Sequence, residues 1–340
     1  MEVPSLFSYA TGELAQDAFI CWLAKWADPK YRAEHRPLHD TATAFLNRLL
    51  EFGELPKPSE YKSVQVERQY RDIDILLLVN DDIAVIIEDK TDTRDHSGQL
   101  NRYKATVATA FPDRRACGVY LKTGDQGNYQ SVVEAKYGQF LRRDFLTVLD
   151  CGERSDVKND IYAHFHGHLR QIEADVQSFQ TVPVNVWGEN RHPWTGFFLA
   201  LQNEIPRGDW KYVSNPRRGF MGFTWHWREN KFLQLEAKKL CFKIMVPDKA
   251  QGAAKWLEWH DALMAVARTT ETRLLKPNRR QPGRCMSVAV LAASYLQQND
   301  QGLLYFAKTV AVLREAEALM DRALQLCPAP APAERTVDAL

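Results

Sequence analysis

The chain has 340 residues, 45% of them hydrophobic and 26% charged, with a formal net charge of +1. That composition excludes a disordered or highly charged polypeptide, and the length suits one large domain or two medium ones. A charge this close to zero excludes a global basic field, so any nucleic-acid contact must rest on local patches.

In chain order, Phe19, Trp22, Leu23 and Trp26 recur at helical spacing until Asp28-Pro29, which predicts an amphipathic first helix with Glu13 and Asp17 near its start. A second helix is predicted over 41–52, with His35 and His39 of EHRPLHD in the turn before it. The period then changes. KSVQVERQY alternates, DIDILLLV and IAVIIEDK are apolar almost throughout, and ACGVYLK reads as a further strand after a helix over about 95–110. Strands apolar on both faces imply a central sheet covered by helices on each side. Helices near 138–149 and 157–180 complete a first domain over 1–181.

Around 182–193 the pattern breaks. A helix over 194–204, strands in GFMGFTWHW and KFLQLEAKKLCFKIMV, a helix near 250–268, a basic loop, a strand over about 285–291 and a last helix to about residue 326 predict a smaller α+β domain over 182–327. The Pro- and Ala-rich tail, 328–340, is predicted to be disordered. The six cysteines have no CxxC spacing and no secretory signal precedes them, so the expectation is free thiols and a cytoplasmic location. No apolar run reaches the roughly 18 residues of a membrane span.

IAVIIEDK ends on three charged residues, Glu88, Asp89 and Lys90, and unpaired buried charge is costly. If Asn80, Asp81 and Asp82 form a hairpin loop with Val79 facing Ile83, the register sets Leu77 opposite Val85, Asp74 opposite Glu88 and Asp72 opposite Lys90. A two- or four-residue loop would instead set Asp74 opposite Asp89, which is also an acidic pair. Facing Cβ atoms in a ladder lie about 4.5–5.5 Å apart, close enough for carboxylates of both strands to reach one Mg²⁺. The alternative is a frayed strand end with a solvated ion pair among Asp72, Glu88 and Lys90.

At these residues the sequence resembles the PD-(D/E)XK nuclease superfamily, whose sites combine an Asp on one strand with Glu-x-Lys on the next. Here Asp74 supplies the first acid and Glu88-Asp89-Lys90 the second motif, although Ile73 stands where the motif has Pro. Gln99 and Tyr103 in GQLNRY resemble the Gln-x-x-x-Tyr signature of the RecB-like branch, and GELAQDAFICWLAKW resembles a first helix that contributes a Glu, here Glu13. The resemblance implies a restriction-endonuclease-like mixed sheet flanked by helices. It also implies hydrolysis of a phosphodiester with Mg²⁺ or Mn²⁺ held by Asp74, Glu88, the Asp89 carbonyl and Glu13. Lys90 would act on the water or the phosphate, and Gln99 and Tyr103 would position the substrate or Lys90. Glu-x-Lys occurs five times in the chain, but only the Glu88 copy ends an apolar strand that follows an acid-bearing one. The competing copy is Glu236 in LEAKK.

Other motifs have weaker readings. His164 and His168 of HFHGH are one helical turn apart, but the Glu that HEXXH needs is absent and no nearby acid or Cys completes a site, so they read as a surface helix. Phe223, Trp225 and Trp227 alternate along one strand, as packing or as a stacking platform. Arg217, Arg218, Lys276, Arg279 and Arg280 are candidate phosphate contacts in basic loops. The expectation is a metal-dependent nuclease acting on nucleic acid, DNA ahead of RNA, with a homodimer or a partner protein possible. Alternatives are a noncatalytic nucleic-acid or protein binding module of the same fold, and a subunit of a defence or repair assembly.

Overall fold

In the computed structural model, which describes residues 4–95, 98–214, 219–277 and 283–327, the apolar strings of the N-terminal half pair into one sheet. The chain divides into two units, Met1–Asp175 and Val176–Leu340. In the first, β1 (Val64–Tyr70), β2 (Ile73–Val79) and β3 (Ile83–Lys90) form an antiparallel meander. β4 (Arg115–Lys122) and β5 (Tyr137–Leu141) then add in parallel, giving the order β1-β2-β3-β4-β5.

Both sheet faces are covered, which explains why β2 and β3 show no polar alternation. Ile75, Leu77, Val79, Val85 and Ile87 pack on one face with α1 (Glu13–Lys25), α2 (Arg36–Phe52) and the helices that follow the sheet. Leu76, Leu78, Ala84 and Ile86 pack on the other face with Leu100, Tyr103 and Val107 of α3 (Gln99–Ala110) and with Val132 of the short α4 (Gln130–Glu134). α5 (Arg142–Arg154) and α6 (Asp160–Gln177) close the first face, contributing Phe145, Leu149, Phe165 and Leu169.

Three local expectations are corrected. The stretch expected to start a helix near residue 138 is strand β5, and α5 begins only at Arg142, where Asp144 accepts the Leu141 N–H at 3.0 Å. Five residues are too few to display a period, and Gly138 passes so close to α2 that a Cβ would lie 2.0 Å from the Phe52 carbonyl oxygen. The second helix begins at Arg36 rather than residue 41, capped by His35 Nδ1, which accepts the Leu38 N–H. His39 is therefore not in a turn; it is a buried residue of α2, with Nδ1 2.8 Å from the Trp26 carbonyl oxygen.

The second unit holds α7 (Arg191–Glu204), β6 (Asp209–Val213), β7 (Phe220–Arg228), β8 (Lys231–Glu236), β9 (Lys239–Met245), α8 (Gly252–Arg268), β10 (Leu274–Leu275), β11 (Cys285–Leu291) and α9 (Phe306–Gln325). Its sheet is antiparallel, ordered β10-β11-β9-β8-β7-β6, and an aromatic-rich core including Phe197, Trp225, Phe242 and Trp256 joins it to its helices.

Candidate metal centre

The alternation that buries Leu76 and Ile86 against α3 continues to the ends of β2 and β3, so it carries Asp74, Glu88 and Lys90 to that same face and Asp89 to the opposite one. The expected register is present, with Leu77 opposite Val85 and Ile75 opposite Ile87. Beyond that pair, Asp74 Oδ2 accepts the Asp89 N–H at 3.0 Å. Asp72 does not face Lys90. It shares a two-residue turn between β1 and β2 with Arg71, both at positive φ (70° and 49°), a type I′ geometry that turns the chain before the ladder reaches Lys90.

Lys90 Nζ lies at the centre of a shell of oxygens, 2.5 Å from Glu88 Oε1, 3.5 Å from Asp74 Oδ2 and 3.8 Å from Glu13 Oε2. It also donates to the Asp89 carbonyl at 2.8 Å. The shell draws on β2, β3 and the first turn of α1. Glu88 is fully buried, and neither of its oxygens accepts a hydrogen bond of ordinary geometry among the described residues, although one lies against Lys90. Glu13 is held from the loop after β3, its Oε1 accepting Thr93 Oγ1 at 2.5 Å and the Thr91 N–H at 3.4 Å.

Burial and the neighbouring Asp74 charge push the Glu88 carboxyl up to about 7. Burial works against the Lys90 ammonium, but Glu88, Asp74 and Glu13 outweigh it and hold it above its ordinary value. The group therefore gathers more negative charge than one ammonium balances. Three carboxylates and a carbonyl are hard oxygen donors, the chemistry Mg²⁺ and Mn²⁺ take, and the ammonium stands where a cation would be surrounded by them. The donor types suit a divalent ion, although the carboxylate oxygens of Glu13, Asp74 and Glu88 do not all lie within 4.8 Å of one another.

Gln99 and Tyr103 are brought together as their spacing implied, Gln99 Nε2 donating to Tyr103 Oη at 2.8 Å. The Tyr103 hydroxyl is raised by burial and by the fields of Glu88 and Asp74, so it faces the acid group.

Several contributors escaped the sequence. On the opposite face, Gln16 Nε2 donates to Asp89 Oδ1 at 2.6 Å, and Thr123 Oγ1 donates to Gln16 Oε1 at 2.5 Å. Burial raises Asp89 well above the carboxylate range and brings the neighbouring Asp17 to about 6. Lys122, at the end of β4, is fully buried. Nothing in their spacing marks Gln16, Thr123 or Lys122, because the sheet, not the sequence, makes them neighbours of β3.

Glu236, the competing Glu-x-Lys copy, lies at the end of β8 and pairs with Lys243 at 2.5 Å. Arg217, Arg218, Arg279 and Arg280 fall outside the described residues; Lys276 is exposed, its Nζ 5.6 Å from the Trp256 ring centroid. Phe223 and Trp225 are core residues, whereas Trp227, beyond a bulge with His226 at φ 54°, stacks on Phe232 at 3.9 Å and is partly exposed. In α6, His166 rather than His164 or His168 meets acids, with Nε2 2.6 Å from Asp150 Oδ1. Those acids, Asp150 and Glu153, come from α5 and were invisible beside HFHGH in sequence; Arg170 already hydrogen-bonds both.

The first unit is thus an α/β sheet whose adjacent strands end in neighbouring acids. Residues 18–181 match the sequence model of the PD-(D/E)XK nuclease superfamily, whose members are as a rule nucleases that use divalent metals. The match takes in both acid-bearing strands and α3; Glu13 precedes it. No curated protein and no solved structure matches the chain. No helix among the described residues is long and apolar enough to cross a membrane.

Proposed function

We propose that the protein is a metal-dependent nuclease of the RecB-like branch that hydrolyses phosphodiester bonds, of DNA ahead of RNA. The observation that carries this reading is the convergence of oxygens from Glu13, Asp74, Glu88 and Asp89 on one point, 2.5–3.8 Å from Lys90 Nζ. These four residues would hold the ion. A bound Mg²⁺ or Mn²⁺ supplies Lewis-acid polarisation of the phosphate and a lowered pKa for water.

The remaining work falls to the chain itself. Lys90, kept cationic by its acids, presents N–H donors and a positive charge to the phosphate oxygens as negative charge develops on them. The Gln99–Tyr103 hydrogen bond fixes two polar groups of α3 over the same face, where they orient the substrate. Burial of Glu88 and Lys90 beneath α3 excludes bulk water from the reacting side.

The test is incubation of the purified protein with linear, circular and single-stranded DNA and with RNA, with Mg²⁺, Mn²⁺ or chelator. Cleavage should require the ion and should disappear in Asp74→Ala, Glu88→Ala and Lys90→Ala, with folding retained by circular dichroism. Undiminished cleavage in all three variants sinks the assignment of these residues. Metal-independent binding without cleavage would favour a noncatalytic module.

A further inference from the structure

β4 runs parallel to β3 in a register that sets Lys122 beside Lys90, so two lysines end adjacent strands at the same level. Two buried cations side by side repel one another, and a strand end needs no lysine for its own stability. Lys122 is fully buried, and its Nζ donates to the carbonyls of Thr91 at 2.9 Å and Thr93 at 2.6 Å. Those two residues open the loop after β3, and they are the same two that grip Glu13, through the Thr91 N–H and Thr93 Oγ1. The path runs from Lys122 to two carbonyls, to a two-point hold on one carboxylate oxygen, and leaves Glu13 Oε2 turned toward Lys90 at 3.8 Å.

We propose that Lys122 is a positioning residue of the metal centre: it fixes the 91–93 loop from beneath and thereby sets where Glu13 places its carboxylate. The proposal rests on the nuclease reading for the identity of the centre. Two further contacts agree with it. The chain leaving β4 closes on the same loop, where a Cβ on Gly124 would lie 2.3 Å from the Thr91 carbonyl oxygen. Arg142 then pins that exit by donating to the Thr123 carbonyl at 2.7 Å and to Asp125 at 2.6 Å. A rigid floor under 91–93 suits a carboxylate that reaches the centre from a helix terminus rather than from the strands that carry Asp74 and Glu88. Burial lowers the Lys122 ammonium to about 8 against the fields of Asp92, Glu13 and Asp125.

The test is a Mn²⁺ titration of the full chain, followed by thermal shift and by the electron paramagnetic resonance of free Mn²⁺. Lys122→Met and Thr93→Val should each raise the half-saturating Mn²⁺ by about tenfold or more, the scale of lost support behind a metal ligand, with an unchanged circular dichroism spectrum. Glu13→Gln should do the same. Adding Lys122→Met to Glu13→Gln should then cost nothing further, since the lysine acts through that carboxylate; a general structural role would multiply the two losses. Wild-type affinity in Lys122→Met, or multiplied losses in the double variant, overturns the role and leaves the nuclease reading in place. Should Lys122→Met fail to fold, Thr93→Val decides, and wild-type affinity there overturns the proposal. Tight Mn²⁺ binding without cleavage by the unaltered protein overturns the nuclease reading alone, while no Mn²⁺ binding overturns both.

Discussion

A lysine whose folded pKa lies below its unfolded value binds fewer protons folded than unfolded, so stability must rise with pH between the two values. For Lys122 that window runs from about 8 up to the ordinary 10.5. The charged form is a burden below the window and the burden is gone above it. We expect the urea midpoint of the metal-free protein to climb across this range by more than in Lys122→Met, the difference amounting to at most about 3 kcal/mol. Parallel curves for the two proteins would show that Lys122 titrates normally. The residues nearest the chemistry differ in how far the sequence announced them. Asp74, Glu88 and Lys90 were legible because charge interrupts apolar strings at the same end of two consecutive strands, and Gln99 and Tyr103 because their separation is one helical turn. Lys122 was not, because a lysine closing ACGVYLK reads as an ordinary solvated strand end until β4 is seen beside β3.

Elements were read best where a turn fixes them. The loop from Asn80 to Asp82 set the β2–β3 register, and Asn80 anchors it by accepting the Lys62 N–H at 2.8 Å and donating to the Glu60 carbonyl at 3.0 Å. The preceding turn was missed, since Arg71-Asp72 lacks the Asn-Gly chemistry that usually marks a type I′ hairpin. Because of this turn Asp72 does not continue the extended ladder to stand opposite Lys90. Asp72→Gly relieves a side chain at φ 70° and should raise stability by about 0.5–1 kcal/mol in chemical denaturation. It should leave Mn²⁺ binding and cleavage unaltered, whereas Asp74→Asn two positions on removes both. Weakened Mn²⁺ binding in Asp72→Gly would restore Asp72 to the acid group. Strands β5 and β6 were missed for the opposite reason: each has five residues, too few for a period to separate strand from helix.

At the scale of the whole chain, the acid group lies in the first unit and the family match covers that unit from residue 18 and runs on to residue 181, with Glu13 just before the matched segment. Among the described residues, the second unit's antiparallel sheet and aromatic core bring together no group of three or more His, Cys, Asp or Glu ligand atoms. A ligand that binds only the folded state stabilises it by RT ln(1 + [L]/Kd), about 2.7 kcal/mol at a hundredfold excess over Kd. That energy enters where the ion is held. Hydrogen exchange read by mass spectrometry should therefore show new protection with Mn²⁺ in the first turn of α1, the ends of β2 and β3 and the 91–93 loop, and a chelator should reverse it. Peptides from α8, β11 and α9 should exchange unchanged. Glu88→Ala should abolish the response, because it removes the most buried of the converging carboxylates. Protection that appears instead around Asp150, Glu153 and His166 would place the ion between α5 and α6 and take it away from β3.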